Sequence, residues 1–295
     1  LATLFGFSAI LMWSLLAMLT ARSGAVPPFQ MNAMTFSLGT LVGLAWLAMR
    51  RGERPILEVF RQRPAVWALG IGGLFGYHAL YFAALRAAPA AEASLIAYLW
   101  PLLIVLGSAL LPGERLRWFH LAGAVLGLSG AALIIVARSG DGIGFSSQHA
   151  LGYGLAALCA LFWSGYSLLS RRLGTVPSEI VAGFCAATAL LSALVHLAIE
   201  ETVWPAGSSQ WTAIVLLGLL PVGAAFYVWD HGVKRGDIQV LGAASYAAPL
   251  LSTLVLILAG EAAFSAPILG AALLITAGAV LAALPLFRRW IGRES

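Results

Sequence analysis

Charge is what this chain of 295 residues has least of: 10% are Asp, Glu, Lys or Arg, against about 25% in an ordinary soluble domain. With 61% hydrophobic residues and a mean hydropathy of +0.92, there is too little polar surface to face water on all sides. The chain reads as an integral all-α membrane protein with the lipid bilayer as its solvent. Cysteine is scarce too. Cys159 and Cys185 both fall inside apolar runs, which argues against a disulfide framework and a four-ligand metal site. No HExxH motif and no closely spaced pair of mid-span carboxylates occurs, so no metal and no cofactor is expected. The net charge of +5 comes without a basic face interleaved with aromatics, so no nucleic acid is expected as partner. No basic leader precedes the first apolar run, and a cleavable signal peptide is not expected.

What is present is length in apolar runs. A span needs about 20 residues, and ten runs qualify: roughly 2–20, 31–49, 65–85, 91–111, 119–137, 151–170, 179–199, 211–233, 239–259 and 266–287. Lys and Arg fall almost wholly in alternate breaks, the exceptions being Arg22, Arg86 and Arg138. Basic loops stay on the cytoplasmic side, so both termini are expected in the cytoplasm.

The runs also repeat. Trp13-Ser14, Arg22 and Pro27 recur 150 positions on as Trp163-Ser164, Arg172 and Pro177; Tyr98 and Pro101 recur at 148 as Tyr246 and Pro249; Gly113-Glu114 recurs at 147 as Gly260-Glu261. Residues 1–140 and 151–295 therefore read as two five-helix repeats, with 141–150 as the link. Five is odd, so the second copy enters the membrane from the opposite side. The repeats are inverted, an arrangement typical of carriers. Small residues four apart, such as Gly123 and Gly127, fit close helix packing.

Two repeat-matched prolines mark where function is expected. Pro101 and Pro249 each remove a helical hydrogen bond, freeing the carbonyls of Ala97 and Ser245, and hydrocarbon tolerates such a defect only where protein or a cavity covers it. Pro221 adds a break in span eight, whose repeat partner lies near Gly73 in span three. Spans three, four, eight and nine are thus the expected walls of a cavity, with Pro101, Pro221, Pro249 and Asp230 as helix-break or gating residues. The candidate lining is Trp13, Tyr77, His78, Tyr81, Tyr98, Trp100, Trp163, Tyr166, Tyr227, Trp229 and Tyr246. Buried Tyr and Trp need polar partners, so a cluster at depth suggests an apolar pocket with hydrogen-bonding edges; each ring taken alone also fits ordinary core packing. Six other Trp (Trp46, Trp67, Trp118, Trp204, Trp211, Trp290) sit at span ends, as interfacial belts require.

Ionisable groups at depth are few. His78 lies well inside span three and is a candidate proton site or donor to substrate; a neutral His bonded to a neighbouring carbonyl would instead serve packing. Asp230 either pairs with Lys234-Arg235 or acts at a gate. Glu114 and Glu261 are expected to anchor turns, and Glu92 to complement a helix N-terminus. With no Lys or Arg at mid-membrane, strongly anionic substrates are disfavoured. The expected solute is flat and uncharged or zwitterionic. Gly127-Leu128-Ser129-Gly130 fits the pattern of an intramembrane serine protease, but the repeat does not keep the serine, as packing would allow.

The duplicated five-span unit, the two proline breaks and the Gly-Glu pairs resemble the drug/metabolite transporter superfamily, in its EamA-type branch. Ala97-Tyr98-Leu99-Trp100-Pro101, Tyr227-Val228-Trp229-Asp230-His231-Gly232 and Ser245-Tyr246-Ala247-Ala248-Pro249 are similar to stretches of the bacterial aromatic amino-acid exporters of the YddG type. Asp230 stands where those exporters usually have Asn. The resemblance implies export of aromatic or other apolar amino acids and related metabolites across a bacterial inner membrane by alternating access, without enzymatic chemistry. A broad exporter of amphipathic drugs such as methyl viologen, and a receptor that transports nothing, are the alternatives. A monomer is the simplest expectation.

Overall fold

The computed structural model describes residues 1–49, 56–139 and 143–291, with the backbone alone at 56, 57, 138 and 285–291. Arg50, Arg51, Arg54 and Arg293, and part of the link at 141–150, lie outside the described residues, as does the side chain of Trp290. Nine helices among the described residues are long and apolar enough to cross a membrane: Ala2–Ala21, Pro28–Met49, Pro64–Ala87, Ala90–Leu110, Trp118–Ala137, Ser147–Arg172, Ser178–Ile199, Ser208–Arg235 and Ala266–Leu284. Ile238–Ala244 and Ala247–Leu258, bent by 40°, form the remaining span in two pieces. Apolar residues line the outside as well as the core. Leu190, Leu194 and Leu197 form an exposed stripe along span seven, which only an apolar solvent accommodates.

Helix pairing follows the repeat. Span five packs along span ten, span two along span seven and span four against span nine, while span one lies on span eight as span six lies on span three. Exchanging the repeats maps this set of contacts onto itself, the mark of a pseudo-two-fold axis between two inverted five-helix units. A close backbone approach joins spans five and ten. A Cβ on Gly123 would sit 2.5 Å from the Gly278 carbonyl, and one on Gly278 would sit 2.5 Å from that of Gly123, so spans five and ten meet backbone to backbone.

The irregular segments are where proline and glycine put them. Spans three and eight each contain one π-helical turn, Gly72–Gly76 and Leu220–Ala224, 148 positions apart. Such a bulge leaves a gap in the hydrogen-bond ladder and marks sites that move or bind. Spans four and nine break at Tyr98-Leu99 and Ser245-Tyr246, and Pro101, Pro221 and Pro249 are all buried. Every kink thus turns into the protein. One expectation needs correction: the Ser245 carbonyl is not orphaned, because the Ala248 N–H donates to it at 3.1 Å. Span one also breaks, at Ser14-Leu15, without a proline to announce it.

Candidate substrate site

Trp13, Trp100, Trp163 and Trp229 come from spans one, four, six and eight and meet in one cluster. Trp13 lies 5.1 Å from Trp229, 5.8 Å from Trp163 and 6.3 Å from Trp100, centroid to centroid. Trp100 stands edge-on to Trp163 at 6.2 Å and to Trp229 at 5.8 Å. Edge-to-face and offset geometry is what ring quadrupoles favour. Two of the indole N–H groups donate within the protein: Trp13 Nε1 to the Pro221 carbonyl at 3.1 Å, inside the π turn of span eight, and Trp229 Nε1 to Ser167 Oγ at 3.1 Å. The kink is thereby tied to the cluster.

A second row of rings extends from it. Tyr77 leans on Trp163 at 5.7 Å and stacks on Tyr81 at 6.2 Å, and the Tyr81 hydroxyl bonds Ser94 Oγ at 3.0 Å. His78 packs between Tyr77 and Phe36, and its Nδ1 lies 2.7 Å from the Leu74 carbonyl. A carbonyl only accepts, so Nδ1 carries a proton, and when the ring is neutral Nε2 is left as an acceptor. Trp13, Tyr77, His78 and Tyr81 are half-buried, while Trp100, Trp163 and Trp229 are buried. The buried indoles form a floor, and the partly exposed rings on spans one and three stand beside it.

Three candidates lie elsewhere. Tyr98 and Tyr246 belong to a separate cluster with Val105, Ala124 and Ala243, and the Tyr246 hydroxyl accepts from the Leu102 N–H at 3.1 Å. Span nine thus meets the N–H that the break at Tyr98-Leu99 releases in span four. Tyr227 donates to the Gly39 carbonyl at 2.8 Å and seals spans two and eight. Tyr166 is buried beside Trp163, but its hydroxyl donates to Asp230 Oδ1 at 3.0 Å. Asp230 in turn pairs with Lys234 through Oδ2 at 2.7 Å, both side chains being 4% exposed or less. The aspartate is compensated by its own helix.

Sequence reasoning missed Phe226, which stacks on Phe36 at 5.5 Å and reaches Trp13, Trp163 and His78. Its signal was helical spacing, three residues before Trp229. A cavity of about 1070 Å³ is present at the end of the bundle that holds Leu1, lined by Thr3, Glu114, Arg117, His120, Arg235 and Gln239 among others. Arg171, Trp118 and Phe119 also line this vestibule, and the tryptophan cluster does not. The end that holds Leu1 is termed the near end, and the other the far end.

With this geometry in place, the chain's relatives become informative. Residues 1–136 and 150–284 match the EamA-like transporter family. The chain belongs to that family. The aromatic amino acid exporter YddG of Ancylobacter novellus is 59% identical over 259 residues, spanning 88% of each chain. The exporter of the same name from Salmonella typhimurium is 27% identical over 274 residues, spanning 87% of this chain and 88% of that one. A protein of known crystal structure, 57% identical, superposes with a TM-score of 0.92 over 98% of both chains. In this EamA-like transporter the Gly127–Gly130 stretch is a packing surface. Ser129 Oγ donates to the Val125 carbonyl at 2.9 Å, and a Cβ on Gly127 or Gly130 would press into Tyr246 or Ile275.

Proposed function

We propose that this transporter exports aromatic and other apolar amino acids, and metabolites like them, across a bacterial inner membrane by alternating access, with its near end and both termini in the cytoplasm. The observation that carries the reading is the four-tryptophan cluster tied to the π turn of span eight, in a chain 59% identical to an aromatic amino acid exporter. Rings presenting both faces and edges suit a planar apolar side chain. The His78 Nε2 acceptor and the Tyr77 and Tyr81 hydroxyls supply polar contacts for the ammonium and carboxylate. The cationic face of the near end is the one expected to stay in the cytoplasm.

In this reading each repeat, 1–140 and 151–295 about the link at 141–150, moves as one half, and one copy of the chain suffices. No catalytic residue is assigned. Uptake of labelled tryptophan into inside-out proteoliposomes, competed by a panel of amino acids and by methyl viologen, tests it. Competition confined to aromatic and large apolar amino acids is expected. Competition by methyl viologen alone replaces the substrate class, and no flux of any solute removes the proposal.

A further inference from the structure

Arg171, at the end of span six, ties three segments together at the near end. Its guanidinium pairs with Glu114 at the end of span four, and donates to the Val233 and Gly236 carbonyls of the turn between spans eight and nine, at 2.9 and 2.7 Å. The two charged side chains are 23% and 18% exposed. A planar fork of five donors is the one side chain that can serve a carboxylate and two carbonyls at once.

A related contact stands at the far end, shifted by one residue in the repeat. The register pairs Arg22 with Arg172, which donates to the Leu110 carbonyl at 2.9 Å, while its neighbour Arg171 takes the glutamate. Arg22, at the end of span one, pairs with Glu261, at the end of span nine, at 2.6 Å. Glu114 and Glu261 are repeat partners, and each follows a glycine with a left-handed backbone, Gly113 at φ 81° and Gly260 at φ 76°, which only glycine adopts without strain. The two ends differ in one respect. The counterparts of Val233 and Gly236, 148 positions earlier, are Leu85 and Ala88; among the described residues Arg22 donates to Glu261 alone. Its pair is also more open to solvent, at 47% and 36%. The near-end fork spans three segments, and the far-end fork spans two.

We infer that Arg171 is a latch holding the near end shut and that Arg22 is its far-end counterpart, the two forks exchanging the bridging role as the transporter turns over. The inference rests on the alternating-access reading above. Each fork joins the first span of one repeat to the Gly-Glu turn of the other, so the end whose arginine also reaches the turn between the neighbouring spans is the closed one. Removing either latch shifts the population toward the state open at that end, by its differential contacts in the two states. Arg171 and Arg22 are positioning residues, away from the aromatic floor.

Single reporters on span four read this directly. Ser108 is fully buried at the near end, bonded by Gln239 Nε2 at 2.9 Å, whereas Ser94 is half-buried toward the far end. In a background in which the buried Cys159 and Cys185 are replaced by alanine, Ser108→Cys and Ser94→Cys are labelled with a maleimide in the full-length protein without substrate. Arg171→Gln is expected to raise labelling of Ser108→Cys about fivefold or more and to slow that of Ser94→Cys, the size of an ordinary allosteric coupling. Arg22→Gln is expected to leave Ser108→Cys as slow as before. If Arg171→Gln does not fold, Glu114→Gln removes the same ion pair and should act in the same direction.

Unchanged labelling of Ser108→Cys in the folded Arg171 or Glu114 variant, or an equal rise in Arg22→Gln, overturns the inference. Because labelling needs no solute, a protein that shows the expected pattern yet moves no amino acid would remove the substrate reading and leave the latches standing.

Discussion

At the scale of single residues, the informative side chains are the polar ones that the apolar composition made rare. Asp230 and Lys234 share one helix turn inside the protein, and removing one partner of such a pair leaves an uncompensated buried charge, at a cost of about 3 to 5 kcal/mol. Asp230→Asn should therefore lower the melting temperature of the purified protein markedly, and adding Lys234→Met should recover most of the loss. Equal melting of Asp230→Asn and the parent would show that the pair is not coupled in the folded state. His78 makes a second test. With Nδ1–H committed to the Leu74 carbonyl, Nε2 is the nitrogen left to meet the substrate. His78→Ala should then weaken tryptophan binding while the dependence of flux on a pH gradient persists. Loss of that dependence would instead make His78 the coupling proton site.

At the scale of elements, the structure turns on how broken helices are repaired. The Leu102 N–H, released by the kink in span four, is met by the hydroxyl of Tyr246 from span nine. A buried donor left without an acceptor costs about 1 to 3 kcal/mol, so Tyr246→Phe should destabilise the protein by that amount in reversible unfolding. A neutral Tyr246→Phe would mean the kink is satisfied another way.

This repair also shows what sequence could and could not reveal. Proline, glycine and the repeat register announced the irregularity of spans three, four, eight and nine, and the apolar runs placed span edges to within about four residues, because hydrophobic length and proline chemistry are local properties. Which side of a kinked helix each tyrosine faces depends on the partner helix. Tyr98, Tyr227 and Tyr246 could thus be placed at the right depth and still lie outside the tryptophan cluster. The break in span one had no local signal at all, since Trp163-Ser164 repeats Trp13-Ser14 in an unbroken helix.

At the scale of the whole molecule, two copies of one unit, facing opposite ways, close on four indoles and on two arginine forks. Interfacial tryptophans such as Trp204, 65% exposed, supply the contrast, because they anchor the bundle without touching the cluster. The direct measurement is the initial rate of labelled tryptophan flux in proteoliposomes for Trp100→Ala and Trp163→Ala beside Trp204→Ala, at matched protein incorporation. Loss of flux by about tenfold or more, about 1.4 kcal/mol, is expected in the first two, with Trp204→Ala close to the parent. Equal rates in all three would mean that the indoles only fill space, and that the solute crosses somewhere else.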